Sequence, residues 1–214
     1  MRIIFIAKRI VKKILFGINR DGFREFNSFP LNNNGVLSSH AVNDLVKCCG
    51  LVESLKLNYR LADGTILGIH RDGRLIPHDN DIDVDILVSA DLEVGKIHQC
   101  FVSNGFRLGR KVYYQGKIQQ LAYYNKVTYD IFDMIFWYQE GERVVNYSER
   151  NFERAQDMKY FQASSEVQFQ GRSYPAPAPL EEWLEMRYGM DWRIPKTFKS
   201  DWKEECFDMQ MKEM

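Results

Sequence analysis

The order of apolar and polar positions divides the chain into stretches of different period. In residues 1–20, MRIIFIAKRIVKKILFGINR, the period is helical: at 100° per residue Ile3, Ile6, Ile10 and Ile14 share a face with Ala7, Val11 and Ile18. The basic side chains gather on the opposite arc, and Phe5 and Phe16 fall off the pattern. Residues 21–37 are rich in turn formers and read as an irregular connector. Ser38 or Ser39 then caps a helix running to about Leu55, with Ala41, Leu45, Cys48, Val52 and Leu55 as its apolar stripe. Leu57–Leu61 alternates as a strand, and a turn at Ala62–Gly64 leads into a short helix from about Thr65 to Asp72. A second strand occupies about 81–88, followed by a helix over 91–104 with Val94, Ile97 and Phe101 inward. Period two takes over in Arg110–Tyr114, Lys117–Tyr124 and Val127–Trp137, which predict an antiparallel meander. The next stretch is less regular until prolines introduce a helix from about Leu180 to Tyr188. The elements predict one α/β (α+β) domain over residues 38–195, preceded by the basic amphipathic helix 1–20 and followed by a C-terminal tail, 196–214.

Composition changes this picture little. The 214 residues suffice for one sizeable core, and 45% hydrophobic with 27% charged residues is ordinary for a globular chain. Basic and acidic residues balance at 29 each, but not along the chain. Residues 1–20 hold six basic side chains and no acid, which leaves the body with 23 against 29, a net charge of −6. An acidic body with no basic stripe beyond the terminus excludes nucleic acid as a partner. The terminal helix is too short and too charged to span a bilayer, and no cleavage site follows it. Its pattern suits an anionic membrane surface, against the plainer alternative of a terminal helix packed on its own domain. Four cysteines without metal-ligand spacing read as free thiols, which fits a reducing, cytoplasmic compartment at the inner face of a membrane.

The candidate chemistry lies in IPHDNDIDVDILV, residues 76–88, where Asp79, Asp81, Asp83 and Asp85 recur at every second position. On a strand such side chains stand roughly 6–7 Å apart on one face. Like charges at that spacing call for a cation between them. A calcium loop is excluded, because its required glycine and glutamate are Val84 and Ala90 here. A merely solvated acidic strand gains nothing from the crowding. A Mg²⁺ (or Mn²⁺) site accounts for it, since that ion keeps positions free for water and substrate phosphates. Two further parts are then expected. Gly64 and Thr65, between a strand and a helix N-terminus, suit a phosphate. Asp130, in the apolar stretch VTYDIFDMIFW, offers a third carboxylate; Asp133 lies at odd spacing from it and projects to the opposite face.

Together these residues resemble the LicD/fukutin family of nucleotidyltransferase-fold phosphotransferases. That family's Gly-Thr-x-Leu-Gly turn is matched by Gly64–Gly68, its following Arg by Arg71, its Ile-Pro by Ile76-Pro77, and its Asp-hydrophobic-Asp by Asp81-Ile82-Asp83. YDIFDMIFW is similar to the family's later Asp-Ile-Phe strand, and PLEEWLEMRYGMDWRIP to its closing helix. The chain departs from the pattern at His78-Asp79-Asn80-Asp81, where many members have Trp-Asp-Asp-Asp. The resemblance implies a mixed sheet flanked by helices, with Asp81, Asp83 and Asp130 as catalytic metal ligands. Gly64 and Thr65 would hold donor phosphates, and Arg71 would offset their charge or buttress the strand. His78, Asp79 and Asp85 are auxiliary: His78 as base, phosphate ligand or structural side chain, Asp85 as ligand to a second ion or solvent-facing. The activity implied is transfer of a phosphorylated alcohol (phosphocholine, ribitol phosphate or glycerol phosphate) from a CDP-activated donor to a glycan or lipid-linked glycan. A metal-dependent glycosyltransferase, a nucleotidyltransferase with another donor, and a non-catalytic nucleotide- or glycan-binding module are the alternatives.

Overall fold

The computed structural model describes residues 22–30, 35–162, 165–196 and 206–211. The expected amphipathic helix 1–20 lies outside the described residues.

The fold is organised by a parallel pair at its centre. Strand β3 (Asp81–Leu87) runs beside β6 (Ile131–Glu140), with Ile82 opposite Phe132 and Asp83 opposite Asp133. Ile82, Val84 and Ile86 share one face with Phe132, Met134 and Phe136, all buried in the main core. Successive side chains on a strand alternate faces. Asp81, Asp83, Asp85 and Asp133 therefore all turn to the other face, where Ile135 and Trp137 begin a second, smaller core with Val144 and Met158. Both faces are covered, which explains why β6 is apolar from Ile131 to Trp137 apart from Asp133.

Outward from this pair the sheet is antiparallel. Strand β2 (Asn58–Leu61) borders β3; on the other side β5 (Lys117–Asn125) borders β6, then β4 (Phe106–Tyr114), then β1 (Phe23–Asn27) at the edge. β5 covers only residues 131–135 of β6. Beyond it, residues 138–140 pair with β7 (Arg143–Asn146), which carries β8 (Phe152–Asp157) and finally β11 (Met209–Met211). A separate hairpin, β9 (Ser165–Phe169) and β10 (Arg172–Ala176), packs on β2.

The helices fall close to where periodicity put them: α1 at Ala41–Ser54, α2 at Asp63–Asp72, α3 at Val94–Ser103 and α5 at Leu180–Tyr188, with a single turn, α4, at Lys159–Gln162. Leu45, Cys48 and Val52 of α1 are fully buried. Each such apolar side chain contributes about 1.5–3 kcal/mol. All four cysteines are free thiols, three of them buried. No described helix is long and apolar enough to cross a membrane.

Two stretches differ from expectation. The expected connector 21–37 contains β1, whose Phe23-Arg-Glu-Phe-Asn pairs residue for residue with Tyr114–Arg110. Residues 206–211, inside the expected tail, turn back onto the domain as β11 and bury Cys206 and Asp208.

Candidate active site

The face of β3 that carries the aspartates floors a cavity of about 460 Å³. Carboxylate oxygens of Asp79, Asp81 and Asp83 lie within 4.8 Å of one another, and Asp133 borders the same space from β6. Burial, followed by the mutual repulsion of neighbouring carboxylates, pushes Asp81 and Asp83 well above the usual carboxylate range. Burial also raises Asp79, and raises Asp133 to about 6. Carboxylates crowded and buried in this way are electrostatically costly, and the attraction of a cation placed among them would oppose both the burial and the repulsion.

Asp133 adds a second sign. Gln120 of β5 donates to its Oδ2, but among the described residues its Oδ1 is buried without a hydrogen-bond partner, and so is Gln120 Oε1. Buried polar atoms in a folded chain are nearly always paired. Such a carboxylate oxygen in an acidic cavity suits contact with a divalent cation or with a substrate proton. Three clustered carboxylates and a fourth beside them are a hard, all-oxygen donor set suited to Mg²⁺ or Mn²⁺.

The strand register corrects the expected third carboxylate. Asp130 has the parity of Phe132 and Met134, so its side chain goes to the helix face. There its two oxygens accept from the Ser38 backbone N–H (2.6 Å) and hydroxyl (2.5 Å) ahead of α1. Asp130 does not border the cavity; Asp133, three residues on, does.

Asp85 is neither a ligand nor solvent-facing. It is fully buried, paired with Arg60 at 2.9 Å and hydrogen-bonded by Trp137 Nε1 at 2.6 Å. Asp79, placed only as auxiliary, stands inside the cluster. His78 borders the cavity.

The Gly-Thr turn divides into two roles. Gly64 borders the cavity at the start of α2, and a Cβ there would come within 2.1 Å of Asp79 Oδ2. Any side chain at 64 therefore forces the Asp79 carboxylate to shift from its present place. Thr65 is buried, and its hydroxyl accepts the Asp83 N–H at 2.9 Å. It ties α2 to β3 and is not a cavity-lining residue, contrary to the expected phosphate contact. Gly68 lets α2 press on the chain at Arg74–Ile76, where a Cβ would meet Arg74 O at 2.7 Å. Arg71 also stays out of the main cavity, bonded to Asp72 and to the Trp192 carbonyl.

The cationic wall comes from residues that pattern reading passed over. Arg154 of β8 and Arg187 of α5 line the cavity, as does Arg110 of β4. Asp63, at the first position of α2 with φ 41°, receives Arg154 at 3.1 Å and Arg187 at 2.8 Å. Burial would raise Asp63, but the two guanidiniums together outweigh it and hold the carboxyl well below its ordinary range. Asp208, just before β11, closes the quartet with Arg187 at 2.5 Å and Arg154 at 3.4 Å. Arg110 is braced by Glu25 and Glu149, both at 2.9 Å. Arginines inside otherwise ordinary segments gave no periodic signal; only the inward-facing parity of β8 could have marked Arg154.

Comparison with known proteins gives these residues a family context. The sequence profile of a family described as "LicD/FKTN/FKRP, nucleotidyltransferase domain" matches residues 56–179, more than half of the chain. That stretch contains Gly64, the aspartate strand and Asp133. No curated protein matches the chain. Among solved structures, one titled as the crystal structure of ANT(2")-Ia in complex with adenylyl-2"-tobramycin is similar with a TM-score of 0.40 at 13% identity, covering 65% of this chain and 70% of that one.

Proposed function

We propose a function from one premise: the chain belongs to the LicD/FKTN/FKRP family, whose matched region is a nucleotidyltransferase domain. Membership implies phosphotransferase-type activity on glycans. The finer reading is that this chain moves a phosphorylated alcohol, of the phosphocholine, ribitol phosphate or glycerol phosphate type, from a CDP-activated donor to a sugar hydroxyl. It rests on the buried acidic cluster Asp79, Asp81, Asp83 and Asp133 facing a wall of arginines in one cavity.

Asp79, Asp81 and Asp83 would hold the divalent ion. When bound, the ion neutralises charge on the donor's phosphates and aligns them. Arg154 and Arg187, fixed by Asp63 and Asp208, supply positive potential to the same space at no cost in side-chain ordering. The helix N-terminus at Gly64 favours the donor's anionic groups. Asp133 Oδ1, unpartnered and beside the cluster, takes the proton of the attacking hydroxyl. The acceptor oxygen forms a bond to the phosphorus that bears the alcohol, the bond from that phosphorus to CMP breaks, and CMP leaves with the electron pair.

The test is product analysis with CDP-choline, CDP-glycerol and CDP-ribitol, each with Mg²⁺ and an oligosaccharide acceptor. CMP should be released from one of them, and both chelation and Asp83→Asn should stop it. Consumption of a UDP- or GDP-sugar instead would replace this reading by glycosyl transfer.

A further inference from the structure

A smaller cleft, of about 40 Å³, opens beside the main cavity and shares Leu67, Ile76, His78 and Tyr188 with it. Its character is opposite. The cavity is walled by Asp63, Asp79, Asp81, Asp83, Asp133 and Glu149 as well as its arginines, whereas among the described residues no carboxylate lines the cleft. Its private residues include Arg71, Lys196 and Trp192.

Trp192 is 4% exposed and its Nε1 donor is buried with no hydrogen-bond partner among the described residues. The ring is held in place by His70, with centroids 5.6 Å apart, and by the Arg193 guanidinium at 4.1 Å from the ring centre. A buried indole N–H without an acceptor costs roughly 1–3 kcal/mol, so an acceptor belongs there. The Nε and Nη2 edge of Arg71 is engaged by Asp72, and its Nη1 reaches only the Trp192 carbonyl at 3.4 Å. Lys196 Nζ donates to Asp191 at 2.8 Å. Every polar side chain that the described residues bring to the cleft can donate, Arg71 and Lys196 among them.

We infer that this cleft binds a phosphate-ester anion, held by the charges of Arg71 and Lys196, with a small turn of the Trp192 ring bringing its Nε1 donor to the anion. Its volume admits on the order of three water-sized groups, as many as a terminal phosphate has free oxygens. The anion belongs either to the acceptor, as a phosphate borne on the glycan or its lipid carrier, or to the donor. The acceptor suits the layout better, because the donor's own phosphates are drawn to the cation-holding cluster, and an in-line attack brings the acceptor from another side. That choice of source rests on the function proposed above; the anion site itself does not.

The indole N–H resonance of Trp192 reports directly. The four tryptophan indoles can be resolved by proton–nitrogen correlation spectra, and Trp192→Phe identifies the one at issue. Inorganic phosphate, titrated into the metal-free full chain, should shift the Trp192 signal saturably, with chloride at equal ionic strength as control. Arg71→Gln or Lys196→Gln should weaken that affinity by about ten-fold or more, the loss expected of one charge-assisted hydrogen bond. Asp83→Asn should leave it unchanged, which separates this site from the nucleotide site. If Mg²⁺ and CDP bind the phosphate-loaded protein undiminished, the anion is the acceptor's; if they expel phosphate, it is the donor's. A Trp192 signal that phosphate does not move, or that it moves with the native affinity in both charge variants, overturns the inference.

Discussion

Asp83 and Asp133 are neighbours because two strands run parallel in one register, and Asp130 is excluded by the same rule. The individual carboxylates of β3 were legible in the sequence, since alternation with Ile82, Val84 and Ile86 fixes their common face. The third was not. Choosing between Asp130 and Asp133 needs the pairing of β3 with β6, and pairing across some fifty residues leaves no local trace. The choice has measurable consequences. Asp133→Asn should retain Mg²⁺-dependent CDP binding and lose about 10²–10⁴-fold in transfer rate, as expected on removing a general base. Asp83→Asn should lose both, and because it relieves crowded charge it should not lower the metal-free melting temperature. Asp130→Ala should behave in reverse. It strips the acceptor from Ser38 and should cost about 1–3 kcal/mol in urea unfolding while leaving CDP binding intact. Equal loss of CDP binding in Asp130→Ala and Asp83→Asn would contradict this assignment.

At the scale of elements, β3 does two jobs along one face. Its first half points Asp81 and Asp83 into the cavity; its second half spends Asp85 on Arg60, which also reaches the Tyr160 carbonyl at 2.5 Å and Gln156 at 2.7 Å. Four evenly spaced aspartates look alike in sequence, and only the basic residue on the neighbouring strand separates ligand from structural pair. Arg60 faces Asp85 across the β2–β3 register, so a reader who paired those strands could have foreseen it. Asp85→Ala should destabilise the fold by about 3–5 kcal/mol, because Arg60 is left buried and uncompensated. Adding Arg60→Met should recover much of that loss in urea titrations, with CDP affinity unchanged in the folded protein. Full stability in the single variant would refute the structural role. The helices were legible because their apolar stripes are strong, whereas β1 was hidden by turn-forming neighbours and β7–β10 by their shortness and charge.

At the scale of the molecule, the cavity is assembled from the whole chain. The acidic side comes from residues 79–83 and 133, and the arginine wall from β4, β8 and α5. The carboxylates that brace the wall come from positions as distant as Asp63 and Asp208. The family motif was readable because it is local, spanning Gly64 to Asp83 in sequence and in space. The arginine wall was not, since its members meet only after the sheet has folded back on itself. On the proposed function, a divalent ion must offset the aspartates before this pocket binds a nucleotide phosphate. Calorimetric titration of CDP, with UDP, GDP and ADP beside it and with Mg²⁺ present or chelated, tests that dependence most directly. The account predicts binding of CDP in preference to the others, only with Mg²⁺, and lost in Asp83→Asn. CDP binding that is equally tight in chelator, or that survives Asp83→Asn, would contradict it.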